Sequence, residues 1–346
     1  EDGGMEEIIQ MQKTESNNVF SNFYEDNYLD WINGRDSKIP IMSHTLLPKL
    51  VLPQIKEDGA FPTVLICLDN FRFDQWRAIK SSITDYFRIE NEDMYYSIVP
   101  TATSFSRSAL FAGLLPNAIE SRFGKQWDTE SGGSADEKQL LEAMLKLHGK
   151  QVKSDFVNVS GLEEGRKLLD KISEYLHNDL LVLSFNFVDM LTHSKTDMEV
   201  IKELADDESA YRSVTSSWFE HSPLLDILKF FSEKKIPVLF TSDHGSVRVK
   251  NPVKVIGDRN TNTNLRYKHG KSLNYNAKDI FEVKDPKEAH LPAGNLSSRY
   301  IFAKSEDFFV YPNNYNHFVQ HYKNTFQHGG ISLEEILVPF ISLTPK

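Results

Sequence analysis

The sequence predicts an α/β fold on a mostly parallel central sheet, preceded by a helical connector. Three observations carry that expectation. The runs PTVLICLDN, LLVLSFNFVD and IPVLFTSDHGS are short and continuously apolar, as strands buried on both faces are. Amphipathic stretches with apolar residues at helical spacing separate such runs. Each run leads to an aspartate, Asp69, Asp189 or Asp243, at the strand end where parallel sheets present ligand-binding groups.

Taken in order, residues 1–60 differ from the rest. EDGGMEEIIQMQKTESNN is polar and reads as a helix that then frays; NFYEDNYLDWING mixes aromatics with acids; HTLLPKLVLPQIKEDG is broken by Pro48 and Pro53. These residues read as a helical connector reaching from a missing upstream module, a mobile tail being the alternative. Residues 61–346 form the main domain. PTVLICLDN is its first strand and MYYSIVP a second, followed by TATSFSRSALFAGLLP, helical in its later part up to Gly113 and Pro116. SADEKQLLEAMLKLHGK and GLEEGRKLLDKISEYLH are amphipathic helices flanking SDFVNVSG, a short strand or loop. LLVLSFNFVD reads as a central strand, and SPLLDILKFFSEKK as the helix that feeds IPVLFTSDHGS. Residues 246–300 are polar, rich in Asn and Lys, and read as a long loop or cap insertion. RYIFAK and FFVYP are late strands, and LEEILVPFISL closes the chain as a strand on the sheet.

Composition narrows the function. The 346 residues are 40% hydrophobic and 25% charged, ordinary for a globular protein with ample core. A net charge of −10 argues against coating nucleic acid by bulk electrostatics, yet permits a local basic pocket for a phosphorylated substrate. The single cysteine, Cys67, excludes an internal disulfide; it fits a reducing, cytoplasmic setting and reads as a core residue. No apolar run reaches the roughly 18 residues a membrane span needs, so no membrane partner is expected.

The chemistry-bearing residues sit at strand ends. Asp243 and His244, followed by Gly245, can grip one ion once past the strand. Asp69 ends the first strand, with a helix cap as its bland alternative. Asp189 and His193 are four apart and share a face on a helical turn. His328 precedes two glycines on a permissive backbone. Thr103 lies between a strand and a helix, where the dipole and amides favour an alkoxide and a phosphate; Arg107, one turn on, can clamp phosphate oxygens. Arg266, Lys268 and Lys271 form a basic patch in the long loop that could touch substrate phosphates, a solvated loop being the alternative. HGKS at 269–272 lacks the first glycine of a P-loop, Leu265 standing in its place.

In this order the motifs resemble the alkaline phosphatase superfamily. LDNFRFD, PTATSFSRSALFAG, FVDMLTHS, FTSDHG and HGGISLEEILVP are similar to its PglZ branch, and most of all to the effector region of PorX-type response regulators of type IX secretion. The resemblance covers roughly residues 60–346. It implies a three-layer sandwich and two metal ions: Asp189, His193 and His328 for one, and Asp69, Asp243, His244 and the Thr103 hydroxyl for the other. Donors without thiolate suit zinc, with manganese as the alternative. Two ions roughly 4 Å apart would serve in-line displacement at phosphorus. The family's threonine attacks phosphorus, and water then releases the covalent intermediate. The expected activity is a phosphodiesterase on a nucleotide or short oligonucleotide, with a phosphomonoesterase, a sulfatase or a binding module of little turnover as alternatives. Family resemblance also implies an upstream receiver domain, a homodimer regulated through it, and sensor-kinase and sigma-factor partners.

Overall fold

A computed structural model describes residues 2–57, 59–124, 136–188, 207–294 and 297–346. Its strands are β1 (Thr63–Leu68), β2 (Phe87–Tyr96), β3 (Ser154–Val159), β4 (Leu180–Phe185), β5 (Val238–Thr241), β6 (Val247–Arg248), β7 (Asn251–Lys254), β8 (Tyr267–Gly270), β9 (Ile280–Val283), β10 (Arg299–Ala303), β11 (Asp307–Val310), β12 (Phe326–Gln327) and β13 (Leu337–Pro345). The main sheet runs β2-β13-β5-β1-β4-β3. β3, β4, β1 and β5 are parallel, and β13 is antiparallel to both β5 and β2. The expected α/β architecture is therefore present, with the closing strand inserted inside the sheet rather than added at its edge.

The unbroken apolar runs have a simple cause. Leu65 and Cys67 of β1 face one core, shared with Leu180, Val182 and Leu239; Val64, Ile66 and Leu68 face the other, with Leu181, Leu183, Val238 and Phe240. A strand with a core on each side has no polar face. Helices Glu137–Leu147 and Ser108–Ala112 cover the first face, and Phe73–Thr84, Glu208–His221 and Pro223–Glu233 cover the second. Cys67 is buried in the first core, which pushes its thiol pKa up.

Two expectations change. The amino-terminal segment does not fray: Asp2–Ile32 is one continuous helix. Phe20, Tyr24, Tyr28 and Trp31 fall three or four apart and are buried in the first core. The Tyr24 and Tyr28 rings stack at 4.8 Å, and the Tyr24 hydroxyl donates to the Ser97 carbonyl at 2.8 Å. Each such ring stabilises the docked helix by about 1.5–3 kcal/mol. Of the two readings of residues 246–300, a long loop or a cap insertion, the loop gives way to short strands. These residues contribute β6 to β9, and β8, β10 and β9 make a small antiparallel sheet over Val255, Ile280, Ile301, Ala303 and Phe309. Strands of only two to four residues, separated by Asn and Lys, give too little periodicity to read. No helix among the described residues is long and apolar enough to cross a membrane.

Candidate metal centre

Register brings the first two carboxylates together. Cys67 of β1 pairs with Thr241 of β5, and two residues further on each strand stand Asp69 and Asp243. β1 lies between its parallel neighbours β5 and β4, so the two aspartates stand side by side at the carboxyl ends of adjacent parallel strands, where α/β sheets bind ligands. Beyond the strand ends the two loops are bonded to each other. The Asn70 amide donates to Asp243 Oδ1 at 3.0 Å, and the Phe71 amide to Ser242 Oγ at 2.9 Å. Asn70 takes a left-handed φ of 57°, which Asn tolerates and which turns its amide to that use.

His244 completes the group. Its Nδ1–H donates to the Gly245 carbonyl at 3.0 Å, which leaves Nε2 as the lone-pair nitrogen. Nε2 lies 3.9 Å from Asp69 Oδ1, 3.7 Å from Asp243 Oδ2 and 3.5 Å from the Thr103 hydroxyl. One donor atom each from Asp69, Asp243 and His244 falls within 4.8 Å of the others, all three residues being buried. Burial pushes the Asp243 carboxyl up, but His244, Arg107 and the Asn70 amide outweigh it and hold its pKa below the usual carboxylate value. Asp243 Oδ1 also takes the His244 amide at 2.9 Å, whereas buried Oδ2 receives no hydrogen bond among the described residues. Two buried carboxylates and an imidazole lone pair converging this way fit a divalent cation.

His328 stacks on His244 with ring centroids 4.4 Å apart, its Nδ1–H donating to the Thr101 carbonyl at 2.8 Å. Asp189 and His193, its expected partners in ligation, lie outside the described residues. Thr103 opens a π-turn, Thr103–Arg107, that continues as Ser108–Ala112 and ends at Gly113, φ 60°. Two neighbouring hydroxyls are bonded elsewhere. Thr101 Oγ1 donates to the Gly330 carbonyl and accepts the Gly329 amide, and Ser106 Oγ donates to the Ala102 carbonyl.

The basic residues differ from expectation. Arg107 is buried; it donates to Glu137, Ser184 and Asn158, and its third nitrogen lies 3.5 Å from Asp69 Oδ2. Beside the expected phosphate clamp, this geometry gives the guanidinium an ion pair with Asp69. Arg266 has a partner of its own as well. It is wholly buried, pairs with both oxygens of Glu335 at 3.1 and 2.6 Å, and holds no charge in reserve for substrate. Lys268 is buried too, donating to the Asn262 carbonyl at 2.9 Å over the Tyr311 ring, and burial lowers its pKa to about 8. Of the three, Lys271 alone is exposed.

The sequence reading missed why Gly245 is glycine. A Cβ there would sit 1.9 Å from the Glu334 carbonyl oxygen, so close approach, not a special turn, demands it. It also missed Asn70, Glu137 and Glu335; Asn directly after a strand-end Asp is the one local sign that was legible.

A family model described as the BREX system PglZ alkaline phosphatase-like domain matches residues 46–343. The chain belongs to the PglZ family. A second model, the PorX response regulator linker domain, matches residues 1–32 of this PglZ chain. The fold recurs in human ectonucleotide pyrophosphatase/phosphodiesterase 5, with a TM-score of 0.52 and 12% identity over 81% of this chain and 87% of that one. The inactive murine counterpart in complex with AMP gives 0.53 and 12%, over 82% and 87%. No curated protein matches. The PglZ resemblance and the alkaline phosphatase-like fold are thus both established.

Proposed function

We propose that this PglZ chain is a di-metal phosphodiesterase that cleaves nucleotide or short oligonucleotide esters through a covalent threonine intermediate, as the effector part of a two-component response regulator. The observation that carries the reading is the Thr103 hydroxyl at a helix start, 3.5 Å from His244 Nε2 in a group with Asp69 and Asp243. Asp69, Asp243, His244 and Thr103 would hold one ion; His328, with Asp189 and His193, would hold the other, zinc before manganese. When bound, such ions lower the pKa of a neighbouring hydroxyl and neutralise phosphoryl oxygens.

The chain's own residues do the rest. Thr103 Oγ1 loses its proton to water and bonds to phosphorus as the P–O bond to the ester oxygen breaks and that oxygen leaves protonated; a water then hydrolyses the P–O bond to Thr103 and restores its hydroxyl. Amides at the start of the Thr103 helix face the phosphoryl oxygens. Arg107 fixes the Asp69 carboxylate, and Lys271 remains the basic residue for a distal phosphate. AMP in the murine neighbour supports a nucleotide substrate, and the linker match supports the response-regulator role. In that role residues 1–60 connect an upstream receiver to the catalytic unit, 61–346, and receiver phosphorylation controls a homodimer that works with a sensor kinase and a sigma factor.

The test is hydrolysis of a generic diester, a monoester and a sulfate ester by one zinc-loaded preparation, with and without chelator. Chelator-sensitive turnover fastest on the diester is expected. A faster monoester or sulfate ester reassigns the substrate class, and no turnover of any leaves a binding module.

A further inference from the structure

We propose that the amino-terminal helix positions the metal centre, acting through Asn17 on the segment that carries His328 and abuts Gly245. The proposal rests on the metal reading above but concerns a helix, Asp2–Ile32, that carries none of the assigned ligands.

Asn17 is fully buried, an unusual place for an amide on a helix of this polarity. Its Nδ2 donates to Glu334 Oε2 at 2.9 Å, and its Oδ1 accepts the Leu333 amide at 2.7 Å. It thus caps the short helix Leu333–Ile336 from outside, satisfying an amide at that helix's start. One turn to each side the contact continues. Lys13 pairs with Glu334 at 3.1 Å, and Ser21 Oγ donates to the Ile331 carbonyl and accepts the Ser305 amide, both at 3.1 Å.

The opposite side of the same segment meets the ligands. Gly245 donates its amide to the Glu335 carbonyl at 3.2 Å, and the Glu334 carbonyl oxygen lies so close that no side chain fits at Gly245. Gly245 in turn accepts the His244 Nδ1–H. The Gly330 amide donates to Glu335 Oε1 at 3.1 Å, which ties the turn after His328 to the same short helix. Residues 333–335 therefore lie between Asn17 on one side and Gly245 and Gly330, the neighbours of His244 and His328, on the other. Close-packed groups transmit displacement, so where the amino-terminal helix stands sets where His244 and His328 stand. Partners that orient metal ligands from behind act on affinity by this route.

The experiment measures zinc affinity by competition with a chelator, and the visible spectrum of the cobalt-loaded protein, in Asn17→Ala, Ser21→Ala, Val19→Ala and His244→Ala. Val19 is exposed on the same helix and is the control. Asn17→Ala is expected to weaken zinc binding roughly tenfold and shift the cobalt bands. Ser21→Ala should do the same to a smaller degree, and it carries the test alone if Asn17→Ala does not fold. Val19→Ala should match the parent. Parent affinity and spectrum in the folded Asn17 and Ser21 variants overturns the proposal, as does an equal loss in Val19→Ala. If His244→Ala also keeps parent affinity, the metal reading itself has failed; if His244→Ala loses zinc while Asn17→Ala and Ser21→Ala do not, only the positioning role has.

Discussion

Replacing Gly245 with alanine tests how rigidly the centre is held. The added Cβ would lie 1.9 Å from the Glu334 carbonyl oxygen, where real contacts stop at 3.0 Å, so the two backbones must part by at least 1.1 Å. Both are pinned: Gly245 by its bond to Glu335, and Glu334 by Asn17 and Lys13. Overpacking of this kind costs about 1–3 kcal/mol, and loss of the Gly245–Glu335 hydrogen bond adds about 1 kcal/mol. Because Gly245 accepts the His244 Nδ1–H, the imidazole moves with it. A misplacement of about 1 Å at a reacting centre costs on the order of 100-fold in rate. We expect Gly245→Ala to lower the denaturant midpoint by an amount equivalent to about 2–4 kcal/mol, with zinc affinity and turnover falling together. Gly161→Ala is the control, since no atom lies within 4 Å of its Cβ position and its φ of −161° suits any residue. If Gly245→Ala keeps the parent's stability and zinc affinity, the segment yields freely and the reasoning fails.

Three further outcomes follow from the same geometry. Thr103→Val should retain the fold and most metal while losing several orders of magnitude of turnover, and Thr103→Ser should keep part of it; Thr101→Val should be milder in rate. Rates set beside measured metal content check this, and a metal-loaded Thr103→Val turning over at the parent rate would sink the threonine mechanism. Glu335→Gln leaves the Arg266 charge buried without its partner, so the denaturant midpoint should fall by the equivalent of about 3–5 kcal/mol. Glu208 is pushed up by burial, but Arg72 and Lys13 outweigh it and lower its pKa from 4.5 to about 2. A depressed folded pKa gives stability present above about pH 4.5 and lost as pH falls toward 2. Urea titrations across that window should show a shallower acid loss in Glu208→Gln, and an unchanged slope would refute the assignment.

The sequence alone determined the fold class and marked the Asp69, Asp243 and His244 side chains that meet beyond the ends of β1 and β5. Strands with a core on each face must read as unbroken apolar runs, and donors at their ends must fall at the sheet's carboxyl edge, so both are written locally. Asp69, Asp243 and His244 were legible for that reason. The jobs of the basic residues were not. Arg107, Arg266 and Lys268 look alike in sequence as free cations, yet tertiary packing gives each a partner: Glu137 and Asp69, Glu335, and the Asn262 carbonyl. Nor does anything near Asn17 or Gly245 reveal that residues 333–335 lie against both. Periodicity reports which face of an element is buried. Only the tertiary structure decides which distant group it is buried against, because that depends on how every element between them packs.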